Sequence, residues 1–320
     1  MSANGVTLVT GAGGCVGAWT VRQLLGEGAS VVAFDLRVDE RRLALLLDEE
    51  ARRGLDWATG DITDRSAVAA VFDEHEIGAV IHLAALQAPF CRADPPRGAE
   101  VNVVGTVNLL QAVADRGLGE RPFVYASSVA AAARPGGDHP ETIYGVYKRA
   151  CEGAADVFLR ERGLASVGLR PHTVFGPGRD QGLTSAPTVA MLAAAAGAPF
   201  EIPFSGRLTM QFAPDVAALF VAASRATDYA GAGVFDLEGE TVDVEAIVTA
   251  IRAEVPQAAI TIAGDPLPFP PEVNPDPKQP FGRELSPTPL GDGVRETIER
   301  FRSLHRRGLV SPPEPPSPQS

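Results

Sequence analysis

The segment Thr10-Gly11-Ala12-Gly13-Gly14-Cys15-Val16-Gly17 decides how this chain is read. It follows a β-branched run, Val6 to Thr10, and leads into a helical pattern from Val16 to Glu27. Glycines at such a junction permit a tight turn, let the backbone approach a phosphate, and aim a helix N-terminus at the anion. The pattern gains weight from Asp35, which ends the next apolar run, Ser30 to Asp35. An acid there accepts hydrogen bonds from the hydroxyls of an adenosine ribose and repels a 2′-phosphate, so NAD is expected over NADP. Arg37, two residues on, offsets part of that repulsion. Asp61, in Gly60-Asp61-Ile62, has two readings: an adenine contact, or a turn and helix cap before Thr63-Asp64.

Outward from the loop, strands and helices alternate. Ala79 to Leu83, Phe123 to Ala126 and Ser166 to Arg170 read as further buried strands. Glu40 to Arg53, Arg65 to His75, Ala99 to Arg116 and Thr142 to Arg162 read as helices. This order predicts an α/β fold, a doubly wound parallel sheet that presents ligands at the carboxyl ends of its strands. After Pro171 the pattern loosens. Helices are expected at Pro187 to Ala196, Asp215 to Ala226 and Gly293 to Arg306, with a strand from Val234 to Leu237. Nine prolines between Pro266 and Pro289 predict a surface loop, and five between Pro312 and Ser320 a disordered tail. The expected organisation is a nucleotide-binding domain over 1–171, a small mixed C-terminal cap over 172–311, and the tail 312–320. The cap is expected to lack a core of its own, and the chain is free to return to the main sheet within it.

Composition excludes several classes. Of 320 residues, 28 are Lys or Arg and 40 are Asp or Glu, a net charge of −12. Nucleic acid and anionic membrane surfaces need clustered cations, so neither is expected as a partner. The most apolar stretch, Val189 to Ala196, is too short to span a bilayer. The opening Met1-Ser2-Ala3-Asn4-Gly5 has no basic segment, and no secretory signal is expected. Cys15, Cys91 and Cys151 are odd in number and lack ligand spacing. A reducing cytoplasm, no disulfide and no metal are the expectations.

The catalytic signal is Tyr144-Gly145-Val146-Tyr147-Lys148, with Ser127-Ser128 upstream at the end of a strand. Tyr144 and Lys148 share one face of a helix. A phenol is a poor base at neutral pH until a neighbouring ammonium and an oxidised nicotinamide stabilise its anion. It then takes the proton of a carbinol while hydride leaves the carbon, with Ser128 holding the oxygen.

These pieces resemble the extended short-chain dehydrogenase/reductases of the NAD-dependent epimerase/dehydratase group, over about residues 6 to 305. Further matches are His82-Leu83-Ala84-Ala85, Asn102 with Gly105-Thr106, and Leu169-Arg170-Pro171 to Gly176-Pro177-Gly178. The resemblance implies a Rossmann-type sheet with a small substrate-binding cap. It implies Tyr144 as acid/base, Lys148 as the residue that binds the nicotinamide ribose and tunes Tyr144, and Ser128 as the residue orienting substrate. Gly11, Gly14, Cys15, Val16, Gly17, Asp35, Arg37, Asp61, Ile62, Leu83, Ala84, Ala85, Asn102 and Pro171 are implied along NAD. Gln87, Thr173, Arg207 and His172 are candidates for the substrate side, as are Arg92, Thr184 and Ser185; for His172 a structural role at a strand end is the competing reading. A homodimer through the helices at Ala99 to Arg116 and Thr142 to Arg162 is also implied.

Departures from the group bear on the reaction. Its dehydratases place an Asp-Glu pair after the serine, where this chain has Val129-Ala130, so sugar dehydration is disfavoured. Its sugar-nucleotide epimerases carry an Arg-Asp-aromatic stretch, for which Arg207 to Phe212 is out of register by one. Small residues from Ala130 to Ala133 stand where an aromatic is usual, leaving room for a ketone to turn. The leading expectation is a sugar epimerase. The alternatives are a dehydrogenase of a free sugar, sugar acid or polyol, and a non-catalytic NAD sensor.

Overall fold

Seven short runs of apolar and β-branched residues pair side by side, every neighbour parallel, in a computed structural model that describes residues 5–132, 137–267, 270–272 and 279–313. The chain first makes β1 (Val6–Thr10), β2 (Val31–Asp35), β3 (Asp56–Thr59), β4 (Ile77–His82), β5 (Phe123–Ala126) and β6 (Ser166–Arg170). It then makes β7 (Thr173–Phe175), β8 (Phe200–Ile202), β9 (Arg207–Phe212), β10 (Ala232–Asp236), β11 (Glu240–Asp243) and β12 (Ile260–Ile262). The main sheet runs β10-β6-β5-β4-β1-β2-β3. The order reverses between β1 and β4, and that switch opens a crevice at the carboxyl ends of the strands.

Helices α1 (Cys15–Gly26), α2 (Glu49–Arg53), α3 (Arg65–Glu74), α4 (Ala88–Ala93), α5 (Pro95–Ala99) and α6 (Gly105–Asp115) connect the early strands. Later come α7 (Ile143–Arg162), α8 (Ala186–Ala196), α9 (Ala213–Ala223), α10 (Val244–Glu254) and α11 (Leu290–Arg306). Period-two alternation sorts the strand side chains to two faces. Leu8, Val32 and Phe34 join Val68, Leu109 and Phe123 on one side, whereas Val9 and Ala33 join Trp19, Val216 and Phe220 on the other. Each fully buried side chain of this size contributes ~1.5–3 kcal/mol relative to exposure, so a one-residue slip of any strand is costly.

Two expectations are corrected. Glu40 to Arg53 is not one helix: Leu43–Leu45 makes a single 3₁₀ turn, and α2 starts afresh at Glu49. The cause is Asp48, whose carboxylate accepts from Ala51 N at 2.8 Å and caps the second helix. The cap, moreover, has a core of its own, in which Phe175, Met191, Leu208, Ile247, Ile298 and Phe301 are buried together. Its members come from β7, α8, β9, α10 and α11, which are scattered along the sequence and meet only in the fold.

The cap holds a mixed three-stranded sheet, β11-β9-β7, and a parallel pair, β12-β8. Strand β10 returns to the main sheet and pairs with β6. Ala133, the tail from 314 and part of the proline-rich loop at 266–289 lie outside the described residues. Among the described residues, no helix is long and apolar enough to cross a membrane, and no His/Cys/Asp/Glu group could hold a metal ion.

Candidate active site

The Gly-rich turn is built by β1 handing over to α1 above the switch between β1 and β4. Gly11 has φ +68, and a Cβ there would lie 2.6 Å from Ala84 N, so only glycine lets β1 pass this close to the end of β4. Gly14 caps α1 without a side chain, which leaves the first N–H groups of the helix facing the crevice. Gly17 and Val16 lie in the first turn of α1, and Cys15 borders the crevice. Burial pushes the Cys15 thiol up to about 11, against the pull of Arg179 and Arg42, so it stays protonated.

The crevice opens into a cleft of about 590 Å³. Gly11, Gly14, Asp35 and Arg37 line it from β1 and β2, Asp61 and Ile62 from the end of β3. Leu83, Ala84, Ala85 and Gln87 line it from β4. Asp35 Oδ2 accepts from Gly13 N at 3.0 Å and its Oδ1 from Leu36 N at 2.8 Å. Asp61 is engaged within the protein: Oδ1 accepts from Thr63 N and Thr63 Oγ1, and Oδ2 takes Arg97 at 2.7 Å. Burial works against its charge, yet the bonds from Thr63 and Arg97 outweigh burial and hold the carboxyl below the usual range. An open anion-facing helix end, a glycine that no side chain could replace and an acid at the ribose position fit a dinucleotide.

Behind the cleft, Thr10 Oγ1 lies 2.7 Å from His82 Nδ1 and accepts from Leu83 N and Ala84 N. His82 Nε2 meets Thr106 Oγ1 at 2.9 Å. Asn102 sits in a π-helical turn, Glu100–Val104, that joins α5 to α6. Its Nδ2 donates to Leu86 O, Gly98 O and Cys91 Sγ, and it is not in the cleft wall. The turn frees its carbonyl, which accepts from Thr106 Oγ1 and Cys151 Sγ.

Helix α7 carries the reactive pair. Thr142 Oγ1 caps its start by accepting from Gly145 N at 3.0 Å, and Gly163 in the left-handed region ends it. A Cβ on Gly145 would lie 2.1 Å from Ala130 O, so the bare backbone lets α7 press against the turn that begins at Ser128. Lys148 is buried, with Nζ 2.7 Å from Ala126 O and 5.7 Å from the Tyr144 ring centroid. Ser128 and Tyr144 are half-buried, and Ser128 Oγ accepts from Ala130 N. Tyr144 and Lys148 thus share one face of α7, and α7 packs on the turn that Ser128 begins; none of the three lines the cleft that holds the Gly-rich loop. Pro171 joins that turn through its carbonyl, which accepts from Val129 N.

The substrate-side candidates are not assembled in the same way. His172 is buried, with Nδ1 on Thr173 Oγ1 and Nε2 on Pro270 O, and burial holds it down at about 4. Thr173 is fully buried beside it, and Arg207 pairs with Glu272 at 2.5 Å. Of this group, Gln87 alone lines the cleft. Sequence reading took Thr10 only as the start of the Gly-rich loop and passed over Arg42 and Arg97. Arg42 reaches Gly13 O at 2.9 Å and lines the cleft, yet in the sequence it is one of several arginines after Asp35.

Residues 7–235 match the family described as the NAD dependent epimerase/dehydratase family. The chain is 37% identical over 138 residues to a UDP-glucose 4-epimerase of Drosophila melanogaster, a match covering 40% of this chain and 38% of that one. It spans well under half the length of that relative. Its fold is that of the Thermus thermophilus UDP-glucose 4-epimerase in complex with NAD (TM-score 0.76, 24% identity, 93% of this chain and 99% of that one). It is equally that of the L-threonine dehydrogenase from Clostridium difficile (TM-score 0.78, 20% identity, 95% and 98%).

Proposed function

The chain belongs to the NAD-dependent epimerase/dehydratase family, and from that premise we propose that it works at a secondary carbinol of a sugar or sugar derivative, as a sugar epimerase. NAD, when bound, accepts and returns hydride. Gly11, Gly14, Cys15, Val16 and Gly17 would hold its pyrophosphate end, Asp35 and Arg37 its adenosine ribose, and Asp61 and Ile62 its adenine. Leu83, Ala84 and Ala85 would complete the bed, with Asn102 bracing Leu86 O from behind it and Pro171 holding the Ser128 turn.

The observation that carries the reading is Tyr144 set one helical turn from the buried Lys148, with α7 pressed against the Ser128 turn. Tyr144 takes the carbinol proton, and the Lys148 ammonium lowers the cost of the phenolate. Ser128 Oγ holds the same oxygen through both half-reactions. The likeness to a UDP-glucose 4-epimerase supports return of hydride to the opposite face. The test incubates enzyme and NAD with candidate sugars and sugar nucleotides, following stereoisomers by NMR and NADH by absorbance. A new stereoisomer without NADH is expected; stoichiometric NADH with an oxidised product would defeat the epimerase.

A second reading, net dehydrogenation of a free sugar, sugar acid or polyol, has one specific observation in its favour. Arg207, the nearest candidate for a sugar-nucleotide clamp, is already paired with Glu272. We also propose a cytoplasmic homodimer joined through α6 and α7. Free thiols at Cys15, Cys91 and Cys151 and the exposed Val104 and Val146 support it.

A further inference from the structure

Arg37, Arg41 and Arg42 follow Asp35 before the 3₁₀ turn, and all of them line the cleft together with Asp35 and Asp39. A guanidinium at this place is the ordinary partner of a 2′-phosphate, so the segment sets the charges of an NADP site beside the acid of an NAD site. Each arginine, however, is already engaged. Arg42 donates Nε and Nη2 to Asp180 at 3.0 and 2.6 Å, and Nη1 to Gly13 O at 2.9 Å. Arg41 grips Asp39, with Nε on Oδ1 at 3.0 Å and Nη2 on Oδ2 at 2.8 Å. Arg37 Nη2 stands 3.9 Å from the same Oδ2, an ion pair without a hydrogen bond.

Asp39 is the fixed member of this group. Its side chain is 15% exposed, against 76% for Arg37 and 66% for Arg41. Its Oδ1 also accepts from Arg41 N at 3.1 Å, which ties the carboxylate to the backbone of its own loop. Gly13 sets where that loop lies: a Cβ built on it would be 3.2 Å from both Asp35 Oδ2 and Asp39 Cβ. Asp39 is thus separated from Asp35 by no more than one bare backbone residue. The bonds from Arg41 hold its carboxyl down at about 2, so the group is ionised at neutral pH.

We propose that Asp39 is a second cofactor-selecting residue, which withholds Arg37 and Arg41 from a 2′-phosphate and so keeps the site for NAD. Asp35 repels the phosphate directly, and Asp39 occupies the cations that would offset the repulsion. A guanidinium already paired with a carboxylate gains little from a phosphate, because the first pair must break before the second forms. The inference rests on NAD as the cofactor and on the place of Asp35 beside its ribose, not on the reaction proposed above.

The test titrates the nucleotide-free protein and its Asp39→Asn variant with NAD, NADP, ADP and 2′,5′-ADP by calorimetry, with no substrate present. Asp39→Asn keeps the shape of the side chain and frees both guanidinium groups. NADP and 2′,5′-ADP should then bind about 10-fold tighter, the low end for a charge-assisted bond because both arginines are exposed. NAD and ADP, which lack the 2′-phosphate, should change by less than about threefold. Adding Arg37→Ala and Arg41→Ala to Asp39→Asn should abolish the gain. A gain that persisted without the two arginines would mean that Asp39 acts through its own charge, and would overturn the proposal. Unchanged affinity for NADP and 2′,5′-ADP would overturn it too, as would equal weakening of all four nucleotides, which would make Asp39 a scaffold of the loop. Asp35→Ala in the same titration reads the ribose acid separately, and no readout depends on whether the enzyme epimerises or oxidises.

Discussion

The hydroxyl of Thr10 lies 2.7 Å from Nδ1 of His82, and Nε2 of the same ring lies 2.9 Å from Thr106. Burial, with the Lys148 ammonium as a second cause, holds His82 down at about 3 from an ordinary 6.5. The unfolded chain therefore binds the extra proton first as pH falls below 6.5, and stability drops from there toward pH 3. His172, held at about 4, adds a contribution of the same sign. The melting temperature should fall between pH 7 and pH 5, where carboxylates still contribute little, and His82→Gln should flatten that fall. A slope in His82→Gln equal to that of the unmodified protein would refute this.

Tyr144→Phe removes the proposed proton acceptor while keeping the ring on α7. Turnover on an identified substrate should drop by at least ~10²-fold with NAD affinity nearly unchanged. Lys148→Met should cost both. Near-normal turnover in Tyr144→Phe would reassign the base.

Asp35 stands at the end of β2 and accepts from Gly13 N, and the role proposed for it is to select the cofactor through the adenosine ribose. Calorimetry should give tighter binding of NAD than of NADP, and Asp35→Ala should narrow the gap, each tenfold being about 1.4 kcal/mol. Equal affinities in the unmodified protein would count against it.

Glu152 of α7 grips Arg170 of β6 through two bonds of 2.7 Å and accepts Ser127 Oγ, one residue before Ser128. Removing one partner of a buried pair typically costs ~3–5 kcal/mol, and Asp236 at 3.7 Å from Arg170 moderates the loss here. Chemical denaturation of Glu152→Ala should therefore show a loss toward the lower end of that range. A loss within the noise of a surface substitution would show that the pair is dispensable.

Strands β1, β5 and β6 were legible to the residue because each is a short apolar run bounded by turn residues and buried on both faces. The Gly-rich loop, Asp35 and the Tyr144–Lys148 pair were legible because their chemistry demands fixed residues at fixed spacing. Helix α10 was legible and missed: Val244, Ile247, Val248 and Ile251 follow the helical period and are all buried. The cap core was not legible as one core, since α8, α10, α11, β7 and β9 lie far apart in the sequence and only the fold brings their apolar faces together. Arg207 and Glu272 are separated in the chain by α9, β10, β11, α10 and β12, and no local pattern announces their pairing. Arg42 escaped for the same reason. Its meaning comes from Gly13 and Asp180, residues that only the fold brings near it.

Strand β10 completes the main sheet beside β6 only after the chain has made β7, α8, β8, β9 and α9. During translation, the strand bearing Val167 and Leu169 is thus an unpaired edge while those later elements are synthesised. At ~5–20 residues per second that interval is on the order of several seconds, long enough for a nascent apolar edge to meet a chaperone or another chain. A gene split after Arg170 would make the exposure permanent, so the N-terminal half expressed alone should aggregate although it contains the whole Gly-rich loop and α7. The two halves are separable as functions but mature as one translational unit.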